Sequence, residues 1–249
     1  MITDPLQWIL AALGAFMVGV SKAGITGLSI LSVALFTHVF PSSKQASGLV
    51  LPLLIFGDIA AVLTYRKHTQ WRYLWRLFPW TGAGVVLGYL ALGRISDHAT
   101  KIMIGIIIVA LAALSYWRRY VSPPREALAE ASLHWTVGAA IGVTAGFITL
   151  IANAAGPLMA IYLVAMRMPK LQYVGTAAVF FMLLNLFKVP FMVDLGLITA
   201  RSFEFNLMLA PAVVAGILAG RWIVLHINQN LFEKLVLGLS AAGGALLIF

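Results

Sequence analysis

Lys22 sits in the run Ser21-Lys22-Ala23-Gly24-Ile25-Thr26-Gly27, a cation placed inside an otherwise apolar stretch. A second stretch is interrupted in the same manner by Asn153-Ala154-Ala155-Gly156-Pro157. A broken helix exposes backbone groups that hydrocarbon cannot hydrogen-bond, so such breaks are tolerated only inside protein or beside water. Where a half-helix restarts, its free N–H groups and positive dipole end make an anion-binding surface. Gly24, Ile25, Thr26 and Gly27 open one half-helix; Gly156, Pro157 and Leu158 open the other, with Ala155 beside it in the candidate binding set and Pro157 suited to a first turn because it has no N–H to lose. Ser21, Thr26 and Asn153 add hydrogen-bonding side chains to Lys22. The chemistry of this set is recognition of an oxyanion such as a sulfonate, sulfite or carboxylate. The competing assignment for Lys22 is snorkelling from a hairpin tip to an interface.

Asp58 lies deep in an apolar segment, where an unpaired carboxylate costs on the order of 3 kcal/mol, so it must be paired, protonated or facing water. Proton coupling is one role open to it and an interhelical hydrogen bond is the other. Lys188 follows Asn185 by three residues on one helical face, which suits an ion pair with Asp58 or a reach to the outer headgroups. No catalytic or metal-binding set stands out. The chain has no cysteine and no HExxH motif, and His38, His68, His98, His134 and His226 fall near segment ends without metal-ligand spacing. No cofactor is expected, and an intramembrane enzyme would need converging groups of this kind.

The elements that must position these residues are membrane helices. Of 249 residues, 61% are hydrophobic and 10% charged, too few polar side chains to cover a water-soluble globule. The formal charge of +9 raises nucleic acid as a partner, but Lys and Arg gather at segment ends, as in Arg66-Lys67, Arg72, Arg76 and Arg118-Arg119, where cytoplasmic loops and headgroups favour them. The expected partners are a small anion and the bilayer, with no nucleic acid, and a homodimer is the expected assembly. The first apolar run, from Leu6 to Val20, lacks a signal peptide's basic leader and reads as part of the mature protein.

Residues 45–65, 73–93, 100–117, 171–193, 203–223 and 231–249 are predicted to be full transmembrane helices. Residues 6–40 and 134–167 are predicted to be broken or re-entrant pairs with short arms. A shift of 127 residues places Gln45 on Gln172, Gly48 on Gly175, Asp58 on Asn185 and Gly93-Arg94 on Gly220-Arg221, while Ala23-Gly24 falls on Ala155-Gly156 with a small gap. The loop from Arg66 to Arg76 is strongly basic and should be cytoplasmic; its counterpart from Asp194 to Glu204 has Arg201 as its only base. Equivalent loops on opposite sides imply inverted topology, and both termini facing outward. The fold class is therefore an all-α polytopic membrane protein with two inverted-topology repeats, each of three full transmembrane helices plus a broken or re-entrant pair. It forms one membrane domain over 1–249: repeat 1 at about 6–119, a polar linker at 120–133, and repeat 2 at about 134–249.

The ordered set also resembles a known family, the TauE/SafE sulfite exporters of bacterial and archaeal membranes. The resemblance is carried by Gly19 to Gly27, the Pro41 turn, the helix ending at Tyr65-Arg66-Lys67, Trp71-Arg72 and Gly93-Arg94. In the second half it rests on Ala155-Gly156-Pro157-Leu158, Met168-Pro169-Lys170 and Asn185-Leu186-Phe187-Lys188-Val189-Pro190. Many members have a denser glycine run where this chain has Ser21-Lys22-Ala23-Gly24, so Lys22 suggests a subgroup. The resemblance implies export of sulfite, organosulfonates or related sulfur-containing anions across the plasma membrane of a prokaryote. Together with the absence of an ATP-binding motif it points to a secondary transporter working by alternating access. Carriage of a carboxylate and a non-transporting accessory role are the alternatives.

Overall fold

The computed structural model describes residues 4–25, 28–40, 42–96, 98–99, 102, 135–166 and 168–246. Among them all regular structure is helical: α1 (Pro5–Lys22), α2 (Leu28–Val39), α3 (Ser43–Tyr65), a 3-10 turn (Arg66–His68), α4 (Trp71–Arg94), α5 (Trp135–Ala152), α6 (Gly156–Ala165), α7 (Lys170–Asp194), α8 (Ala200–His226) and α9 (Gln229–Leu246). The span predicted at 100–117 and the linker at 120–133 lie outside the described residues, apart from Ile102. Among the described residues five helices are long and apolar enough to cross a membrane, namely Pro5–Lys22, Lys44–His68, Trp135–Ala152, Lys170–Asp194 and Ala200–His226. The chain is a multi-pass membrane protein.

The start of each element is written locally. Asp4 caps α1, its carboxylate accepting from the Leu6 N–H at 2.9 Å with Pro5 in the first turn. Thr199 and Ser202 form a capping box on α8. The two stretches expected to be broken resolve alike. An 18-residue helix runs to the break in each, and a short helix follows, 12 residues in α2 and 10 in α6. Thus α1 and α5 reach the length of a span, about 27 Å at 1.5 Å per residue, while α2 and α6 do not.

Glycines fix how these helices meet. A Cβ on Gly84 would lie 2.1 Å from the Val143 carbonyl oxygen, and one on Gly146 would lie 2.0 Å from that of Thr81, so α4 and α5 touch backbone to backbone and run parallel. The pair α1 and α8 repeats this arrangement: Gly19 meets the Val213 oxygen at 2.1 Å and Gly216 meets the Phe16 oxygen at 2.1 Å. Each half therefore lends its first helix to the other half. In the same contacts Gly84 and Gly88 occupy the places of Gly216 and Gly220, a separation of 132 residues that also relates Pro79 to Pro211. Gly88, rather than the Gly93 of the sequence comparison, is thus the counterpart of Gly220. The single shift of 127 does not extend to α4 and α8, because α7 has 25 residues against 23 in α3 and the contacting glycines sit later in α8 than in α4.

Between the two pairs α3 and α7 cross antiparallel. Gly48 near the start of α3 meets Leu197 beyond the end of α7, Gly175 near the start of α7 meets Tyr65 and His68 at the end of α3, and Asp58 bonds Asn185 between them. A lysine at the start of each closes the end of another helix. Lys44 donates to the carbonyls of Leu92 at 2.9 Å and Ile95 at 2.6 Å, and Lys170 donates to those of Val224 at 3.0 Å and Ile227. Both answer carbonyls that a helix C-terminus leaves unpaired. Side chains such as Leu63, Trp75, Met208, Leu218 and Trp222 are exposed, as a lipid-facing surface requires.

Substituting Gly146 or Gly216 with leucine should prevent native packing of its pair, a cost of at least about 1–3 kcal/mol. Gly138→Ala, with nothing within 4 Å of the added atom, should be neutral or mildly stabilising. Thermal unfolding in detergent, read with elution profile, checks both.

Candidate functional site

The chain turns at Ala23-Gly24 because Gly24 takes φ of 122°, a conformation that side chains rarely adopt. A Cβ there would also lie 2.5 Å from Val174. The second break turns at Asn153, with φ of 51°, where a short amide side chain is tolerated and can bond locally. Asn153 spends its amide on α3, donating to the Ser47 carbonyl at 2.8 Å and the Ser47 hydroxyl at 3.1 Å. Both breaks thereby face the crossing of α3 and α7.

Lys22, the last residue of α1, is buried and pairs with Asp58 on α3, Nζ to Oδ1 at 2.6 Å. Its stem lies against Gly57, where a Cβ would come 2.8 Å from Lys22 Cγ, so the glycine beside Asp58 makes the approach possible. The ammonium also stands 4.8 Å over the Phe181 ring, a cation–π contact. Asn185 on α7 donates to the other Asp58 oxygen at 2.6 Å. Lys188, fully buried one turn further along α7, donates to the Thr149 carbonyl and hydroxyl, each at 3.1 Å, and to Asn153 Oδ1 at 2.7 Å. The cation that Asp58 takes is therefore Lys22. Lys188 holds the second break, because α5 brings its oxygens to the face of α7 on which Lys188 lies.

A cavity of about 30 Å³ opens among these groups, room for a few waters or one compact anion. Its polar wall is Ser21, Lys22, Ser29, Thr149, Asn153 and Asn185, its apolar wall includes Leu54 and Phe181, and Gly24 and Gly156 bring backbone to its edge. Gly156 is the first residue of α6, whose cap residue Ala155 gives no side-chain hydrogen bond, so a half-helix N-terminus meets the cavity without a side-chain cap. Of the residues singled out in the sequence, Ser21, Lys22, Gly24, Asn153, Gly156 and Asn185 line this space. Ile25 and Ala155 are buried beside the breaks, while Asp58 and Lys188 stand one contact behind the wall. Thr26 and Gly27 lie outside the described residues. Sequence reasoning missed Ser29, Ser47, Thr149 and Phe181. Two of these carried a signal: Thr149 lies 127 residues after Lys22, and Phe181 lies the same distance after Leu54, the separation that also relates Asp58 to Asn185.

The family model for sulfite exporter TauE/SafE matches residues 11–247. The chain belongs to the TauE/SafE sulfite exporter family. That match spans both breaks, the α3–α7 crossing and every cavity-lining residue. No curated protein and no solved structure matches the chain. As a TauE/SafE protein it is assigned to membrane transport of a small anion, and its buried cation and half-helix terminus are of the sign that such a cargo requires.

Removing one member of the buried pair strands the other charge. Lys22→Met should cost about 3–5 kcal/mol, whereas Lys22→Met/Asp58→Asn should recover most of it. Apparent Tm in detergent of Lys22→Met, Asp58→Asn and the double variant reads the cycle; a loss in the double equal to the sum of the two single losses would show that the pair is not coupled.

Proposed function

We propose that the chain is a secondary transporter exporting small sulfur-containing oxyanions, such as sulfite or organosulfonates, across the plasma membrane of a prokaryote. The observation that carries this reading is the cavity where Lys22 and the start of α6 meet at the crossing of α3 and α7. Lys22 uses one N–H on Asp58 and keeps two for a ligand, and Ser21, Ser29, Thr149 and Asn153 surround the same space. A planar or pyramidal oxyanion offers acceptors to donors on several sides, which this ring of short polar side chains supplies.

The mechanism proposed is alternating access between two inverted-topology repeats. Its support is the antiparallel crossing of α3 and α7, the paired exchange of α1 and α5 between halves, and the matching lysine closures at Lys44 and Lys170. Two arrangements related by the same pseudo-symmetry would expose the cavity to opposite sides in turn. Asp58, occupied on both oxygens, is assigned the role of fixed counter-ion to Lys22 in place of the proton-coupling role open to it in the sequence.

Purified protein in proteoliposomes should carry sulfite and methanesulfonate, with Lys22→Gln reducing flux at least tenfold because the charged donor is lost. Normal flux in Lys22→Gln would sink the proposed site, and no flux in the correctly inserted native protein would favour an accessory role.

A further inference from the structure

The charges around the cavity do not cancel. Lys22 and Asp58 neutralise each other at 2.6 Å. Lys188, by contrast, meets only neutral oxygens, and three of them surround Nζ: the Thr149 carbonyl, the Thr149 hydroxyl and Asn153 Oδ1. Three acceptors match the three N–H donors of an ammonium. Among the described residues no carboxylate contacts Lys188, and its shell consists of two residues that themselves line the cavity. Among the described residues Lys22, Asp58 and Lys188 are the ionisable groups at the cavity wall or one contact behind it, so with Lys188 as the ammonium that its three acceptors match, this wall carries one uncompensated positive charge. The uncapped start of α6 adds partial charge of the same sign.

A lone charge inside the membrane is costly, and the lower the surrounding polarity the more strongly it favours a ligand that cancels it. A singly charged anion leaves the loaded site neutral. A doubly charged anion of equal size leaves it at minus one, with the same desolvation problem reversed. We infer that the cavity selects singly charged oxyanions over doubly charged ones, with Lys188 supplying the charge that the cargo neutralises and Asp58 holding the count at one. This rests on the anion-transport reading and adds the charge class of the cargo. Lys188 acts through Thr149 and Asn153 and is a positioning residue; Asp58 sets selectivity without touching the cargo.

The test is flux of methanesulfonate and sulfamate, both singly charged, against sulfate, doubly charged and of nearly the same size, in proteoliposomes of the full chain. The native protein should favour the singly charged probes at least tenfold. Asp58→Asn raises the count to two and should lower that ratio at least tenfold. Lys22→Met/Asp58→Asn returns the count to one and should restore the native ratio even where total flux falls. A structural defect alone would slow all probes together without moving the ratio in this order. Should Asp58→Asn fail to fold, the double variant decides, since it strands no charge: a native-like ratio supports the inference and a ratio near one overturns it. Sulfate carried by the native protein as fast as methanesulfonate overturns the charge selection while leaving anion transport standing. No probe carried by correctly inserted native protein overturns both.

Discussion

Hydrocarbon offers no hydrogen bonds, so every polar atom at the crossing of α3 and α7 has to be answered by another part of the chain. Lys22 answers Asp58, Asn185 answers its second oxygen, Asn153 answers Ser47, and Lys188 is enclosed by Thr149 and Asn153. These contacts tie α1, α3, α5 and α7 together at one place. The same requirement explains why the breaks face inward: the free backbone of Gly24 and Gly156 borders a polar cavity rather than lipid. Around this knot the glycine contacts of α4 with α5, and of α1 with α8, close the packing where hydrophobic burial alone supplies little drive between membrane helices.

The knot is made differently on its two sides. At the first break the lysine is on the broken element, and the acid is on the crossing helix. At the second the lysine is on the crossing helix, and the oxygens are on the broken element. Lys22 and Thr149 stand 127 residues apart, as do Asp58 and Asn185. Similar contacts on the two sides thus hold an unsymmetrical charge distribution, which gives a cargo with one charged end a reason to bind in one orientation.

Much of this was legible in the sequence because a charge or amide inside an apolar run is conspicuous. Lys22, Asp58, Asn153, Asn185 and Lys188 stand out on that ground alone, and the Gly24 and Gly156 breaks locate the cavity. Ser29, Ser47 and Thr149 stayed hidden, since serine and threonine sit in membrane helices for local reasons, bonding their own turn, as Thr64 does to Ala60 at 2.8 Å. Phe181 resembled any other lipid-compatible side chain. Helix positions followed from hydrophobic length, but which helix packs on which did not. The exchange of α1 and α5 between halves depends on glycine faces: Gly19 and Gly146 match at 127 residues, but their partners Gly84 and Gly88 match Gly216 and Gly220 at 132, which one global shift obscures. Asp58's choice of Lys22 over Lys188 likewise depended on where α5 places Thr149, a tertiary fact with no local trace.

The central claim is that an oxyanion occupies the space between Lys22 and the start of α6. Crystals of the full chain grown with selenite, a heavier analogue of sulfite, would show this directly through anomalous scattering. A peak within hydrogen-bonding distance of Lys22 Nζ and bordered by Asn153 and Gly156 is the expected result. A peak confined to the basic loop near Arg66 and Arg72, with this cavity holding only water, would contradict the assignment of the site.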